Sequence, residues 1–133
     1  MIILGIETSC DETAAAVVDC DGELACLPAR QVEPQFRVLS NVIASQATLH
    51  APFGGVVPNI AKRAHQENLP TVVRQALVEA NVADEAIEAI AVTHGPGLEP
   101  ALWQGITYAQ KLAREWGKPL IPVNHMIGHL ISP

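Results

Sequence analysis

The spacing of apolar and polar residues predicts short strands in the first part of the chain. Residues 2–7 form an apolar run typical of a buried strand, residues 8–12 a tight polar turn, and residues 13–19 a second strand. Asp21-Gly22 is a strong hairpin signal. It predicts that residues 23–27 return as a third strand, so that the chain opens as an antiparallel meander.

The middle of the chain has a weaker pattern. Residues 28–39 carry two prolines and little periodicity, which predicts an irregular loop, and residues 41–46 are expected to form a short strand. A loop rich in glycine and proline over residues 51–58 precedes a helix, for which Asn59 is the expected N-cap. Pro70 lies inside this helix and predicts a kink or a restart near Leu69.

The last part alternates strands with helices. A strand is predicted over residues 87–93, a helix over Glu99–Trp116 that Gly117 ends, and a strand over residues 120–123. Asn124 is the expected N-cap of a last helix that begins at His125. A meander followed by β-α-β crossovers predicts an α/β fold whose mixed sheet has flanking helices.

Composition narrows the classes of protein. The 133 residues are 49% hydrophobic, enough for one packed domain, and no apolar run reaches the 18 residues of a membrane-spanning helix. A net charge of −6 argues against binding of a nucleic-acid phosphate backbone by this chain alone. The start of the chain lacks a basic region and reads as a strand, not as a secretion signal. The cysteines, Cys10, Cys20 and Cys26, fit no zinc motif. We expect free thiols and a reducing, cytoplasmic setting.

His125 and His129 are the first candidate site. At i and i+4 of a helix they share one face, so that both imidazoles can reach one metal ion. Met126 stands where a zinc protease of the His-Glu-x-x-His type has its general base. Two histidines leave the coordination shell open, so at least one further ligand must come from outside this chain. The alternative is a pair of capping or solvent-facing histidines.

The polar turn after the first strand is the second candidate. Thr8, Ser9 and Thr13 supply hydroxyls for a phosphate, and Asp11 and Glu12 supply carboxylates that could hold a metal or orient a nucleophile. The alternative is a solvated hairpin turn, which the same residue types favour.

Weaker signals lie elsewhere. The turn His94-Gly95-Pro96-Gly97 precedes a helix. It is typical either of an anion-binding site at the helix N-terminus or of a tight connection between strand and helix. Gly54-Gly55 suits a mobile flap or an ordinary loop. His65 lies on a basic helix face that is expected either to meet tRNA or a protein or to be solvated.

Six segments in order resemble the tRNA threonylcarbamoyladenosine synthesis enzymes, long known as glycoproteases or O-sialoglycoprotein endopeptidases. The segments cover nearly the whole chain: Gly5-Ile-Glu-Thr-Ser-Cys-Asp-Glu-Thr13, Ser45-Gln46, His50, Gly54-Gly-Val-Val-Pro58, Gly95-Pro-Gly-Leu98 and Val123-Asn-His-Met-Ile-Gly-His129.

The resemblance implies one lobe, residues 1–133, of a two-lobed actin/Hsp70-like (RNase H-like) ATPase fold. It implies transfer of a threonylcarbamoyl group from threonylcarbamoyl-adenylate to N6 of adenosine 37, beside the anticodon of tRNAs that read ANN codons. His125 and His129 match the family's metal ligands, with iron or zinc as the metal. Asp11 and Glu12 match the acidic residues near the phosphate of the bound ATP or adenylate. The family's third metal ligand, an aspartate, has no counterpart in these residues, so we expect the 133 residues alone to be inactive.

The resemblance also implies partners. They are tRNA, a non-catalytic paralogue and an accessory ATPase. The apolar faces near residues 69–80 and 101–116 are expected to meet the paralogue or to pack on their own sheet, and exposed apolar surface makes self-association plausible. The alternative from another class is a binding module like the paralogue itself. A metalloprotease is disfavoured by Met126.

Overall fold

The computed structural model describes residues 1–21 and 35–131. Its strands and main helices follow the chain in this order: β1 (Ile2–Glu7), β2 (Glu12–Asp21), β3 (Gln35–Ser45), α1 (Ala47–His50), α2 (Pro58–Ala80), β4 (Ala89–Gly95), α3 (Glu99–Trp116), β5 (Leu120–Asn124) and α4 (His125–Ile131). Two short 3₁₀ turns, Ala51–Phe53 and Asp84–Ala86, lie between them.

The five strands form one mixed sheet in the order β3-β2-β1-β4-β5. β1, β2 and β3 pair antiparallel, whereas β1, β4 and β5 are parallel. The predicted mixed sheet with an antiparallel meander and flanking helices is confirmed. The parallel arrangement has one functional consequence, because the carboxyl ends of β1, β4 and β5 meet at the same edge.

The core lies between one face of this sheet and the helices α2 and α3. Strand residues such as Leu4, Val17 and Ile90 are buried against Leu69 and Leu112 of the two helices. The apolar stripes of both helices are therefore used mainly for packing within this domain, which is the second of the two alternatives that the sequence left open. Val78 and Trp103 remain exposed on these helices.

β3 is longer than the short strand predicted over residues 41–46, and it begins earlier. Residues 35–39, predicted as loop, belong to β3, which runs without a break to Ser45. Phe36, Arg37 and Val38 are exposed, so no alternation of apolar and polar residues marks this end of the edge strand. Pairing with β2 defines it, including a bulge between Val17 and Val18. The strand predicted over residues 23–27 and its hairpin turn lie outside the described residues.

Two details of α2 also correct the sequence prediction. The helix begins at Pro58 with Val57 at the N-cap, so Asn59 is inside the helix and caps nothing. A proline at the first helical position has no amide hydrogen to satisfy and is preorganised for it. The helix also continues through Pro70 without a restart. Pro70 and Gln66, whose carbonyl loses its partner, are both exposed, so water can replace the missing bond.

Other features agree with the sequence. α3 spans the predicted residues, and Asn124 caps α4 by accepting hydrogen bonds from the backbone N–H groups of Met126 and Ile127. Cys10 is an exposed free thiol and Cys20 a buried one. No helix in the described part of the chain is long and apolar enough to cross a membrane.

Candidate metal and phosphate site

The candidate site lies at the edge where the three parallel strands end. Glu7 is the last residue of β1, Thr93 lies near the end of β4, and His125 follows directly after β5. The Thr93 hydroxyl donates a short hydrogen bond to Oε2 of Glu7. The same Oε2 atom lies 3.4 Å from Nδ1 of His125. The sheet topology therefore gathers these three side chains from distant parts of the chain.

His125 and His129 face each other across one turn of α4. Their Nε2 atoms are 3.1 Å apart, and their ring centroids are 4.5 Å apart. Two nitrogens bound to one tetrahedral zinc ion at about 2.0–2.1 Å would be about 3.3 Å apart. The pair already has nearly the separation that a shared metal ion requires.

Glu7 and Ser9 determine which ring nitrogen of His125 faces the space between the two imidazoles. Oγ of Ser9 lies 3.2 Å from Nδ1 of His125, on the same side as the Glu7 carboxylate. Partial burial raises the pKa of the Glu7 carboxyl. Hydrogen bonds from Ser9 and Thr93, together with the attraction of His125, outweigh burial and hold that pKa below its usual value. An ionised carboxylate only accepts hydrogen bonds, so the proton of neutral His125 belongs on Nδ1 and Nε2 presents a lone pair.

This arrangement fits a metal ion but does not complete its coordination. A metal-binding histidine ordinarily donates its second N–H to a carboxylate, as His125 is placed to do toward Glu7. Among residues 1–21 and 35–131, however, no three His, Cys, Asp or Glu side chains are close enough to share an ion. The described residues thus offer two candidate ligands, His125 and His129, and one carboxylate placed to orient His125.

The polar turn between β1 and β2 is held by its backbone carbonyl groups. The carbonyl of Ser9 accepts from the backbone N–H of Leu98 at 2.7 Å, and that of Asp11 from the N–H of Gln46 at 2.9 Å. Between them, the carbonyl of Cys10 lies 3.0 Å from Nε2 of His65. Three successive carbonyls are therefore fixed by three different segments of the protein.

Because the peptide bond is planar, fixing these three carbonyl groups also fixes the direction of the N–H group in each of the same peptide units. In a trans peptide the N–H points away from the C=O of the same unit. The N–H groups of Cys10, Asp11 and Glu12 therefore point away from the segments that hold the carbonyls. Backbone N–H groups that converge on one side form a typical phosphate-binding arrangement, for which these three groups are candidates.

Thr8 and Thr13 brace this turn from inside. Both side chains are fully buried. The Thr8 hydroxyl donates to the carbonyl of Ala101 at 3.1 Å, and the Thr13 hydroxyl lies 2.8 Å from Nδ1 of His65. Gly105 lets α3 approach Thr8, because a Cβ at position 105 would overlap its hydroxyl. Binding of a cofactor by the two threonines stays a prediction, but both hydroxyls are engaged within the protein.

The remaining predicted site residues, Ser9, Asp11 and Glu12, differ in whether they contact the histidine pair. Ser9 is buried and contacts His125, which joins the turn to the histidine pair. Glu12 is exposed at the start of β2, and Asp11 is half-buried beside it. Neither carboxylate forms a hydrogen bond or ion pair with the histidines among the described contacts.

Sequence reasoning missed several residues of this site. It included Glu7 in the turn motif without assigning it a role, and it passed over Thr93. A polar residue at the end of each of two parallel strands is the signal that could have found them.

A shallow groove adjoins the site on the sheet face opposite α2 and α3. Its volume is about 280 Å³, and Glu7 and Thr93 line one end of it. Small residues form much of its floor: Gly5, Ala14, Ala16 and Ala91. The groove is therefore continuous with the edge where Glu7 and His125 meet.

Comparison with solved structures identifies the class of fold. YeaZ from Pseudomonas aeruginosa superposes with a TM-score of 0.57 at 23% identity, covering 92% of this chain and 42% of that one. Thermus thermophilus RuvC in complex with a Holliday junction substrate superposes with a TM-score of 0.56 at 16% identity, covering 95% and 67%. The chain has the RNase H/actin-like fold.

Sequence comparison identifies the family within this class. The profile of TsaD, tRNA N6-adenosine threonylcarbamoyltransferase, matches residues 37–133, and the chain belongs to this family. A relative of that name from Thermomicrobium roseum is 53% identical over 132 residues, which are 99% of this chain and 32% of the relative. One from Streptococcus suis is 50% identical over 131 residues, 98% and 35% respectively. The chain thus spans about a third of the length of these relatives.

Proposed function

We propose that this chain provides one lobe of a tRNA-modifying transferase. The enzyme moves the threonylcarbamoyl group of threonylcarbamoyl-adenylate to N6 of adenosine 37, beside the anticodon of tRNAs that read ANN codons. Family membership supports the reaction, since the relatives carry this activity in their name. The observation that carries the site is the separation of 3.1 Å between the Nε2 atoms of His125 and His129.

In this proposal the two histidines hold a divalent metal, iron or zinc, together with a ligand from outside the described residues. When bound, the metal supplies Lewis-acid polarisation of the transferred carbamoyl group. That chemistry suits the reaction, because the exocyclic amine of adenine is a poor nucleophile. The role of Glu7 is to hold His125 with its proton on Nδ1, which leaves Nε2 free for the metal.

The polar turn is proposed to receive the phosphate of the adenylate or of ATP. Its outward N–H groups, fixed through the carbonyls of Ser9, Cys10 and Asp11, support this role. The Asp11 and Glu12 side chains are proposed to place the substrate or a metal associated with it. Because the chain has a net charge of −6, we expect most of the surface that docks tRNA to lie outside these residues.

Titration of Zn²⁺ into the purified protein that contains this lobe together with the remaining metal ligand tests the metal site directly. We expect His125→Ala and His129→Ala to abolish binding, and Glu7→Gln to weaken it by about 10- to 100-fold because the orienting carboxylate is lost. Met126→Ala is the matched control, since Met126 is exposed between the two histidines. Binding that survives both histidine substitutions would overturn this assignment.

A transfer assay tests the reaction itself. The protein containing this lobe is mixed with its partner proteins, threonylcarbamoyl-adenylate and tRNA, and the modified nucleoside is measured by mass spectrometry. We expect modification that falls at least tenfold in His125→Ala or His129→Ala and is unchanged in Met126→Ala. Full activity in both histidine variants would contradict the proposed role of the pair.

The second candidate is a non-catalytic binding module resembling the paralogue. The fold similarity to YeaZ is compatible with it, but a binding module has no need of two converging imidazoles. Normal binding of partner proteins with neither Zn²⁺ affinity nor transfer would favour this alternative.

A further inference from the structure

Three buried polar side chains have no part in the proposed reaction: His50, Gln46 and His65. His65 and Gln46 are fully buried, and His50 nearly so. Buried imidazoles and amides lose hydration, so they persist only where hydrogen bonds replace it. Every buried side-chain nitrogen and oxygen of the described residues has such a partner.

These side chains form one continuous chain of hydrogen bonds. At one end the backbone N–H of Val57 donates to Nδ1 of His50 at 3.3 Å. Nε2 of His50 then lies 3.1 Å from Oε1 of Gln46, and Nε2 of Gln46 lies 3.3 Å from Nδ1 of His65. At the other end, Nε2 of His65 lies 3.0 Å from the carbonyl of Cys10.

The backbone groups at the two ends fix the direction of every bond between them. A backbone N–H can only donate, so Nδ1 of His50 is an acceptor and its Nε2 carries the proton. A backbone carbonyl can only accept, so Nε2 of His65 also carries a proton. Gln46 then has its oxygen toward His50 and its NH₂ toward His65. All donors and acceptors match when both imidazoles are neutral Nε2–H tautomers and Nδ1 of His65 accepts from the Thr13 hydroxyl at 2.8 Å as well as from Gln46.

The two ends of this series of hydrogen bonds lie in the glycine loop and in the polar turn, two segments that the sequence pattern marked separately. Val57 closes the loop that contains Gly54-Gly55 and is the N-cap of α2. Cys10 is the middle residue of the polar turn, and its carbonyl is one of the three that direct the turn's N–H groups outward. The hydrogen bonds therefore join the glycine loop to the proposed phosphate site through the interior.

We propose that His50, Gln46 and His65 are positioning residues, which transmit the position of the glycine loop to the polar turn through the Cys10 carbonyl. The effect of these residues on substrate placement rests on the proposed function. The hydrogen-bonded connection between the glycine loop and the polar turn, called the relay below, does not depend on it. Burial lowers the pKa of His65, in keeping with a neutral imidazole, although the carbonyl of Cys10 and nearby carboxylates act in the opposite direction.

NMR of the chain labelled with ¹⁵N-histidine tests the relay without any ligand. Long-range ¹H–¹⁵N correlations distinguish the two neutral tautomers and the cation. At pH 7 we expect His50 and His65 to show the Nε2–H tautomer. A cationic His65, or the Nδ1–H tautomer at either position, would overturn the proposal, and this result needs no variant to fold.

Variants then test transmission to the turn. Gln46→Leu removes the central link, and we expect a shifted Asp11 amide resonance, because this N–H belongs to the same peptide group as the Cys10 carbonyl. Gln66→Leu is the matched control, because Gln66 is the exposed neighbour of His65 on α2. An Asp11 amide that is unchanged by Gln46→Leu would refute transmission.

His65→Gln provides the rescue. The glutamine side chain keeps an N–H donor for the Cys10 carbonyl, whereas His65→Leu does not. We expect the Asp11 amide resonance near its parent position in His65→Gln and shifted in His65→Leu. Equal effects of the two substitutions would show that His65 only fills space and would overturn its positioning role. Failure of Zn²⁺ binding or of transfer would instead count against the proposed function and leave these results intact.

Discussion

Gly105→Ala is a sharp test of how α3 supports the polar turn. A Cβ at this position would overlap the Thr8 hydroxyl and lie 3.2 Å from Cγ2 and 3.3 Å from Cβ of Thr8. Carbon atoms pack best at about 3.5–4.0 Å, so Thr8 or the helix must move by several tenths of an ångström. Thr8 is fully buried, and moving it breaks its hydrogen bond to the carbonyl of Ala101.

The magnitude follows from three opposing effects. Overpacking of a core costs about 1–3 kcal/mol. A buried hydroxyl left without its partner adds about 1–3 kcal/mol. Alanine gains about 1 kcal/mol over glycine inside a helix. We therefore expect Gly105→Ala to lower the free energy of unfolding by about 1–5 kcal/mol.

Urea unfolding followed by tryptophan fluorescence is a suitable assay, since Trp103 and Trp116 both lie in α3. Gly128→Ala is the control, because a Cβ there meets nothing within 4 Å. In a Thr8→Ala background, which removes the hydroxyl and Cγ2, we expect Gly105→Ala to cost about 1–2 kcal/mol less. An unchanged or increased stability of Gly105→Ala, or strict additivity with Thr8→Ala, would refute the reasoning.

Other predictions concern titration and capping. Because the folded-state pKa of His65 is lowered from 6.5, the unfolded chain binds the proton more tightly. Stability is then fully present above pH 6.5 and falls as the pH decreases toward the folded pKa, by about 1.4 kcal/mol for each unit of difference; urea unfolding of His65→Gln should lack this slope. Glu7 contributes stability above pH 4.5 that is lost as the pH falls through its lowered folded pKa, so Glu7→Gln should flatten acid unfolding there. Asn124→Ala should cost about 1 kcal/mol of α4 stability, measured by exchange of the Leu130 amide, whereas Asn59→Ala leaves that exchange unchanged.

The elements with strong local signals were predictable from the sequence. α3 has an apolar stripe and an ending glycine, and Asn124 precedes an apolar run, so both follow from short-range patterns. β3 and the start of α2 were not predicted correctly. An exposed edge strand is defined by pairing with β2, which is a long-range property, and a helix start with proline at its first position competes with a neighbouring asparagine signal.

The site residues likewise divide into those that a short-range pattern predicts and those that depend on long-range contacts. The spacing of His125 and His129 was readable because one helix carries both. Glu7 and His65 were not assigned their roles, because each acts on a residue more than fifty positions away: Glu7 on His125, and His65 on Cys10. Only the order of the strands and the packing of α2 bring these partners together.

The histidine pair lies on a short helix that has little support of its own. α4 has seven residues and no buried side chain, and its apolar residues Met126, Ile127 and Leu130 are exposed. So short a helix is marginal by itself, and here it is held by the Asn124 cap and by the contact of His125 with Glu7 and Ser9. A metal ion bound by both imidazoles would add a link across one turn of this helix. Metal affinity and the order of α4 are then coupled, and by linkage each must strengthen the other by the same factor. The carboxylate of Glu7 therefore acts on both at once, since it orients the ligand and anchors the helix that carries it.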